Sequence, residues 1–163
     1  ATSGKTSISN FLCGTSQTIG TRNKEYTPTE GCRILEQEVN GIDIELWDVS
    51  GSQTYEKCWP AILQGKDGNN ECDGVILVYN PQIPTHDIEV GLWYDAFVKN
   101  AGIADKKTLV YIHRTQADAA FRSRVPPKLE KCVCLETTFD SASEVREGFE
   151  EMLRRIKSDG GRK

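Results

Sequence analysis

Two short runs, Gly74-Val75-Ile76-Leu77-Val78-Tyr79 and Thr108-Leu109-Val110-Tyr111-Ile112, are apolar or β-branched at nearly every position. A strand with one wet face alternates, so runs of this kind predict strands covered on both faces. Helical spacing surrounds them, over 55–63, 87–99 and 143–157. Strands buried on two faces and separated by helices predict an α/β sheet, mostly parallel, with right-handed crossovers and flanking helices. The 163 residues, 37% of them hydrophobic, suit one domain with its own core. The sequence has neither an internal repeat nor a low-complexity tract.

A different pattern precedes these runs. Residues 32–39 alternate, Asn40-Gly41 supplies a tight turn, and residues 42–48 alternate again, which predicts an antiparallel edge hairpin ending in Asp48. Upstream, Ile8, Phe11 and Leu12 have helical spacing and Gly14 ends the run, so Lys5 and Thr6 fall in a helix's first turn. Residues 15–31, polar and rich in Thr, Gly and Pro, form a long exposed loop between the two.

The chemistry gathers at the ends of these elements. A phosphate loop needs backbone N–H groups at a helix N-terminus, a lysine to reach the β/γ oxygens and a hydroxyl for magnesium. Ser3-Gly4-Lys5-Thr6-Ser7 supplies them, although the leading glycine of GxxxxGK[ST] would fall two residues before Ala1. The same five residues also describe a solvated helix start. Magnesium further needs an acidic strand end, and Asp48, followed three residues later by Gly51, provides one, with the Gly51 N–H available to a γ-phosphate. Read blandly, Asp48 is a strand terminus before a turn. In Tyr26-Thr27-Pro28-Thr29-Glu30-Gly31, Thr29 could close over magnesium while its N–H meets the γ-phosphate, or the segment is simply a turn.

Other classes fit less well. A net charge of −4 with scattered Lys and Arg gives no basic surface for nucleic acid. No apolar run is long enough to span a bilayer and no signal segment is visible, so the expectation is a cytoplasmic protein. Six spread cysteines in a domain of this size predict reduced thiols, and the close pair Cys132/Cys134 alternates like the two sides of a strand. Trp47, Trp59 and Trp93 are packing residues or face a partner, with Trp59-Pro60 a candidate exposed patch.

The phosphate, Thr29 and Asp48 elements, in this order and spacing, resemble the Ras-like small GTPases over nearly the whole chain. Residues 26–36, Glu45-Leu46-Trp47-Asp48, Cys58-Trp59-Pro60-Ala61, residues 80–84 and Trp93-Tyr94 are most similar to the Rab-like small GTPase subunits of the intraflagellar transport B complex. The resemblance implies a P-loop fold over residues 1–163 whose first strand would precede Ala1, GTP or GDP with magnesium as ligands, and magnesium held by Thr6, Thr29 and Asp48. It also implies a ciliary or flagellar transport particle, with docking on a coiled-coil pair of sister subunits. Residues 158–163 carry no prenylation motif, so membrane attachment would be indirect.

Two departures from the family pattern limit the activity expected. Ser52 stands where a water-orienting glutamine is usual, and Gln53 one position further points elsewhere, so slow intrinsic hydrolysis is expected. The guanine-reading Asn-Lys-x-Asp is replaced by His113-Arg114-Thr115-Gln116, or, in another register, the acidic residue is Asp118. An amide accepts one hydrogen bond where a carboxylate accepts a charge-assisted pair, so guanine affinity and discrimination should fall to the micromolar range. Glu136-Thr137-Thr138 looks like the start of the final base-contacting loop, with Phe139 where a small residue is usual. His113 is either a base-site residue or part of a wet strand end.

Overall fold

The computed structural model describes residues 3–20, 27–64, 68, 72–116, 118 and 120–160. Helix α1 (Lys5–Leu12) is followed by strands β1 (Cys32–Val39) and β2 (Ile42–Val49), helix α2 (Trp59–Gln64), strand β3 (Val75–Tyr79), helix α3 (His86–Tyr94), strands β4 (Thr108–His113) and β5 (Val133–Thr137), and helix α4 (Ala142–Gly160). The predicted hairpin is present in full. Asn40 and Gly41 have φ of 52° and 74°, the two positive values a type I′ turn demands, and their two-residue loop fixes the register so that Arg33 stands opposite Asp48.

Strands β3, β4 and β5 form a parallel sheet in that order. β4 is buried along its whole length and sorts its side chains by parity. Leu109 and Tyr111 pack with Ile8, Phe11 and Ile19 and with Val145, Phe149 and Met152 of α4, whereas Val110 and Ile112 pack with Leu77, Tyr79, Val90, Val98 and Leu129. Helices on both faces therefore explain the unbroken apolar runs. The Tyr111 hydroxyl donates to the Val145 carbonyl at 2.5 Å and pins α4 to the sheet centre.

The helix expected over 55–63 is two pieces. Gln53–Cys58 is a 3-10 segment and α2 begins at Trp59, because Pro60 cannot donate to a preceding turn but suits a helix's first positions. Trp59 is 7% exposed and packs on Trp93 and Phe97 with ring centroids 4.3 and 5.4 Å away, so it is a core residue and the exposed patch expected at Trp59-Pro60 reduces to Pro60. The helix expected over 87–99 starts at His86 and ends in a wider π-type turn over Asp95–Lys99.

Among the described residues no ladder joins the hairpin to the parallel sheet. β2 and β3, each an unpaired edge, both line a cavity of about 860 Å³ that also reaches Ser3, Lys5 and Ile8 at the start of α1.

Candidate nucleotide site

Part of the predicted set lies together at the start of α1: Thr29 meets Thr6, Gly4 packs on His113, and Lys5 feels the charge of Asp48. Gly4 caps α1 with φ of 88°, in the left-handed region, and a Cβ there would stand 2.8 Å from the His113 ring. Only glycine meets both conditions. Ser3 is buried beside it, and Lys5 and Thr6 occupy the first turn, where free N–H groups and the helix dipole favour an anion. Burial pushes the Lys5 ammonium below its ordinary pKa, opposed by the carboxylates of Asp48 and Glu89. A lysine held mostly dry next to a carboxylate is poised for a stronger negative partner.

Thr6 and Thr29 lie with their hydroxyl oxygens 2.7 Å apart, so the exposed loop closes onto the first turn of α1. The loop's far end is tied down by Ser50, whose N–H donates to the Gly31 carbonyl at 2.8 Å, one residue before Gly51. Asp48 is 3% exposed; its Oδ2 accepts from Arg33 Nη2 at 3.1 Å, while its Oδ1 is buried without a hydrogen-bond partner among the described residues. A buried carboxylate oxygen left unpaired costs on the order of 1–3 kcal/mol or more, and a hard cation among oxygen donors removes that cost. Thr6, Thr29 and Asp48 carry oxygen donors of the kind magnesium takes.

The residues nearest the expected hydrolysis position are committed elsewhere. Ser52 caps the 3-10 segment, its hydroxyl accepting from the Thr54 N–H at 3.3 Å, and Gln53 is exposed in the first turn of that segment. Neither side chain is held toward the Thr6–Thr29 pair by a hydrogen bond on the structure. Ser7 lies close to Gly20, where an added Cβ would stand 3.0 Å from its hydroxyl. Tyr26 lies outside the described residues.

At the base-reading end the residues are present but turned to local partners. His113 is fully buried, which overturns the wet strand end: Nδ1 pairs with the Thr137 hydroxyl at 3.0 Å, Phe139 packs edge-on, and Nε2 has no partner. Burial pulls its pKa down to about 4, so the ring is neutral. Arg114 donates to the Asp118 carbonyl at 3.3 Å. Asp118 accepts from the Ala120 N–H at 3.0 Å and is spent on a local turn. Gln82 clamps the Gln116 backbone, accepting from its N–H at 3.0 Å and donating to its carbonyl at 3.2 Å. Thr138 closes its own turn with Ser141 and Asp140.

Sequence reasoning gave no part in the site to Arg33, Asn10 or Asn80. Asn80 donates to the Thr115 hydroxyl at 2.8 Å, and its backbone N–H donates to Nδ1 of the buried His86 at 3.1 Å, which holds the end of β3 against the segment after β4. The Arg33–Asp48 pairing was available from the Asn40-Gly41 turn, because a two-residue loop fixes which residues face each other.

No protein-family model matches the chain. An intraflagellar transport protein 22 homolog of Danio rerio is 34% identical over 94% of this chain and 83% of its own length. The Homo sapiens homolog is 32% identical over 94% of this chain and 84% of its own length. Among solved structures, the GTP-bound IFT22/74/81 crystal structure of T. brucei superposes with a TM-score of 0.74 at 30% identity, covering 96% of this chain and 89% of that one. The GDP-bound IFT22 crystal structure of T. brucei gives 0.72 at 29%, covering 97% and 91%. With an α/β sheet, an antiparallel hairpin and flanking helices in this order, the fold is that of a small GTPase. The chain belongs to the intraflagellar transport protein 22 family.

Proposed function

We propose that residues 1–163 form one small-GTPase-like domain that binds GTP and GDP with magnesium and serves as a subunit of the intraflagellar transport complex in the cilium or flagellum. Lys5 and the N–H groups of the first turn of α1 take the phosphates, Gly51 meets the γ-phosphate, and Thr6, Thr29 and Asp48 hold the metal. The observation that carries this reading is the 2.7 Å approach of Thr29 to Thr6 in the first turn of α1; a buried Asp48 whose Oδ1 has no partner among the described residues supports it. Relatives named as intraflagellar transport proteins and a T. brucei complex titled IFT22/74/81 support the assembly role. In that role the chain docks on coiled-coil sister subunits. No helix among the described residues is long and apolar enough to cross a membrane.

Hydrolysis is slow, because Ser52 is spent as a cap and Gln53 is exposed one position along. Base discrimination is relaxed, because Gln116 is clamped through its backbone and Asp118 is spent on its own turn. These departures also favour a second reading, a constitutive interaction module in which nucleotide is structural or dispensable.

Titration of GTP, GDP and ATP in magnesium, on the wild type and Lys5→Ala, tests the proposal. Micromolar GTP and GDP binding, abolished in Lys5→Ala and weaker for ATP, is expected. Absence of nucleotide binding, or equal binding of ATP, leaves the interaction module. If partner affinity is equal in the GTP and GDP forms, nucleotide has no energetic basis for switching the assembly.

A further inference from the structure

We propose that Arg33 is a resident counter-cation for Asp48, so that nucleotide binding at this site depends on magnesium much less than its set of metal donors implies. The inference rests on the nucleotide site proposed above.

Arg33 and Asp48 are directly opposed across the β1–β2 hairpin. The guanidinium Nη2 donates to Asp48 Oδ2 at 3.1 Å and to Asn10 Oδ1 at 2.8 Å, so a single nitrogen joins β1, β2 and the helix that carries Lys5 and Thr6. The two partners are dehydrated unequally: the Arg33 side chain is 41% exposed and that of Asp48 1%. Most of the dehydration cost falls on the carboxylate, and the arginine offsets it while keeping water on its own outer face, although its Nε is itself buried without a partner among the described residues.

Two consequences follow for a divalent ion. First, Asp48 is compensated before any ion arrives, so the ion-free site is not left with an isolated buried negative charge. Second, a guanidinium does not lose its proton at any ordinary pH, so an ion approaching the remaining oxygen, Oδ1, meets a permanent positive charge on the far side of the same carboxylate. Both effects act in one direction. They raise nucleotide affinity in the absence of magnesium and lower the gain on adding it. Had Arg33 merely braced the hairpin, its loss would weaken nucleotide binding by the same factor with and without the metal.

The test is the dissociation constant of GDP and of GTP, measured calorimetrically in magnesium and again in EDTA, for the wild type, Arg33→Met and Arg33→Lys. Arg33→Met keeps the apolar stem and removes the charge. Arg33→Lys keeps the charge and serves if the methionine variant unfolds. The wild type is expected to lose less than about tenfold in affinity when magnesium is removed, and Arg33→Met to lose at least about tenfold more than the wild type, with Arg33→Lys between them. A magnesium-to-EDTA ratio in Arg33→Met equal to that of the wild type overturns the proposal while leaving the nucleotide site intact. If the wild type binds no nucleotide in magnesium, the site reading itself fails, and this inference with it.

Discussion

Single residues decide how this site handles charge. Lys5 is held mostly dry, and burial lowers its pKa more than Asp48 and Glu89 raise it. A triphosphate favours the charged ammonium, so nucleotide affinity is steady below the lowered pKa of the free protein and falls as pH rises through it, before an ordinary lysine would titrate. Lys5→Arg, which stays charged, should lose this descent, and a binding titration between neutral pH and pH 10 separates the two profiles. His113 works in the opposite pH range. The folded ring keeps its neutral form down to about pH 4, whereas an unfolded histidine takes up a proton near 6.5. The unfolded state therefore binds more protons between those values, and stability declines as pH falls through that window, by at most about 3 kcal/mol. Urea unfolding of the wild type and His113→Asn should show the variant with a shallower decline. That Lys5 and Thr6 open a helix and that Asp48 lies at the end of a hairpin strand was legible in the sequence, from helical spacing and from alternation around an Asn-Gly turn. The burial of His113 was not, because it depends on Gly4 lacking a Cβ and on Thr137 and Phe139 closing around the ring, all of them distant in sequence.

Within elements, local propensity explains what could be read and where reading stopped. The hairpin was legible residue by residue, since alternation and an Asn-Gly turn admit only one register. The 55–63 segment was legible as helical but not as a 3-10 piece followed by a helix, because Ser52 and Pro60 each start a turn and the periodicity of the apolar residues does not distinguish them. This divided segment also bears on hydrolysis. Ser52 gives its hydroxyl to the Thr54 N–H, so Ser52→Gln removes a cap, at a cost of about 1 kcal/mol, while restoring a glutamine directly after Gly51. Such a variant is expected to unfold at lower denaturant yet to turn over bound GTP faster than the wild type in a single-turnover assay. A loss of stability with no gain in rate would mean that a glutamine at this position does not govern hydrolysis.

Among the described residues two sheets meet around α1, and the least satisfied feature is the space between them. β2 and β3 each end a sheet with one unpaired edge, and both border the 860 Å³ cavity. Unpaired strand edges expose backbone donors and acceptors, and a cavity this large forfeits packing along both strands. Only a strand can satisfy two strand edges at once, and one matching the five residues of β3 extends about 16 Å. Ser3 and Lys5 line the same cavity, and Ser3 is two residues from where a further segment would be joined. A designed strand of alternating valine and threonine fused there, through a glycine-rich turn, is expected to raise Tm by at least about 5 °C. It should also slow amide exchange in both Ile42–Val49 and Val75–Tyr79, since insertion supplies hydrogen bonds to both edges. The same fusion with proline at successive positions cannot donate to either ladder and should leave Tm and exchange unchanged. Protection on one edge alone, or a rise in Tm with the proline version, would mean that the fusion stabilises by coating the surface, and that the two sheets are held apart by packing that no strand can enter.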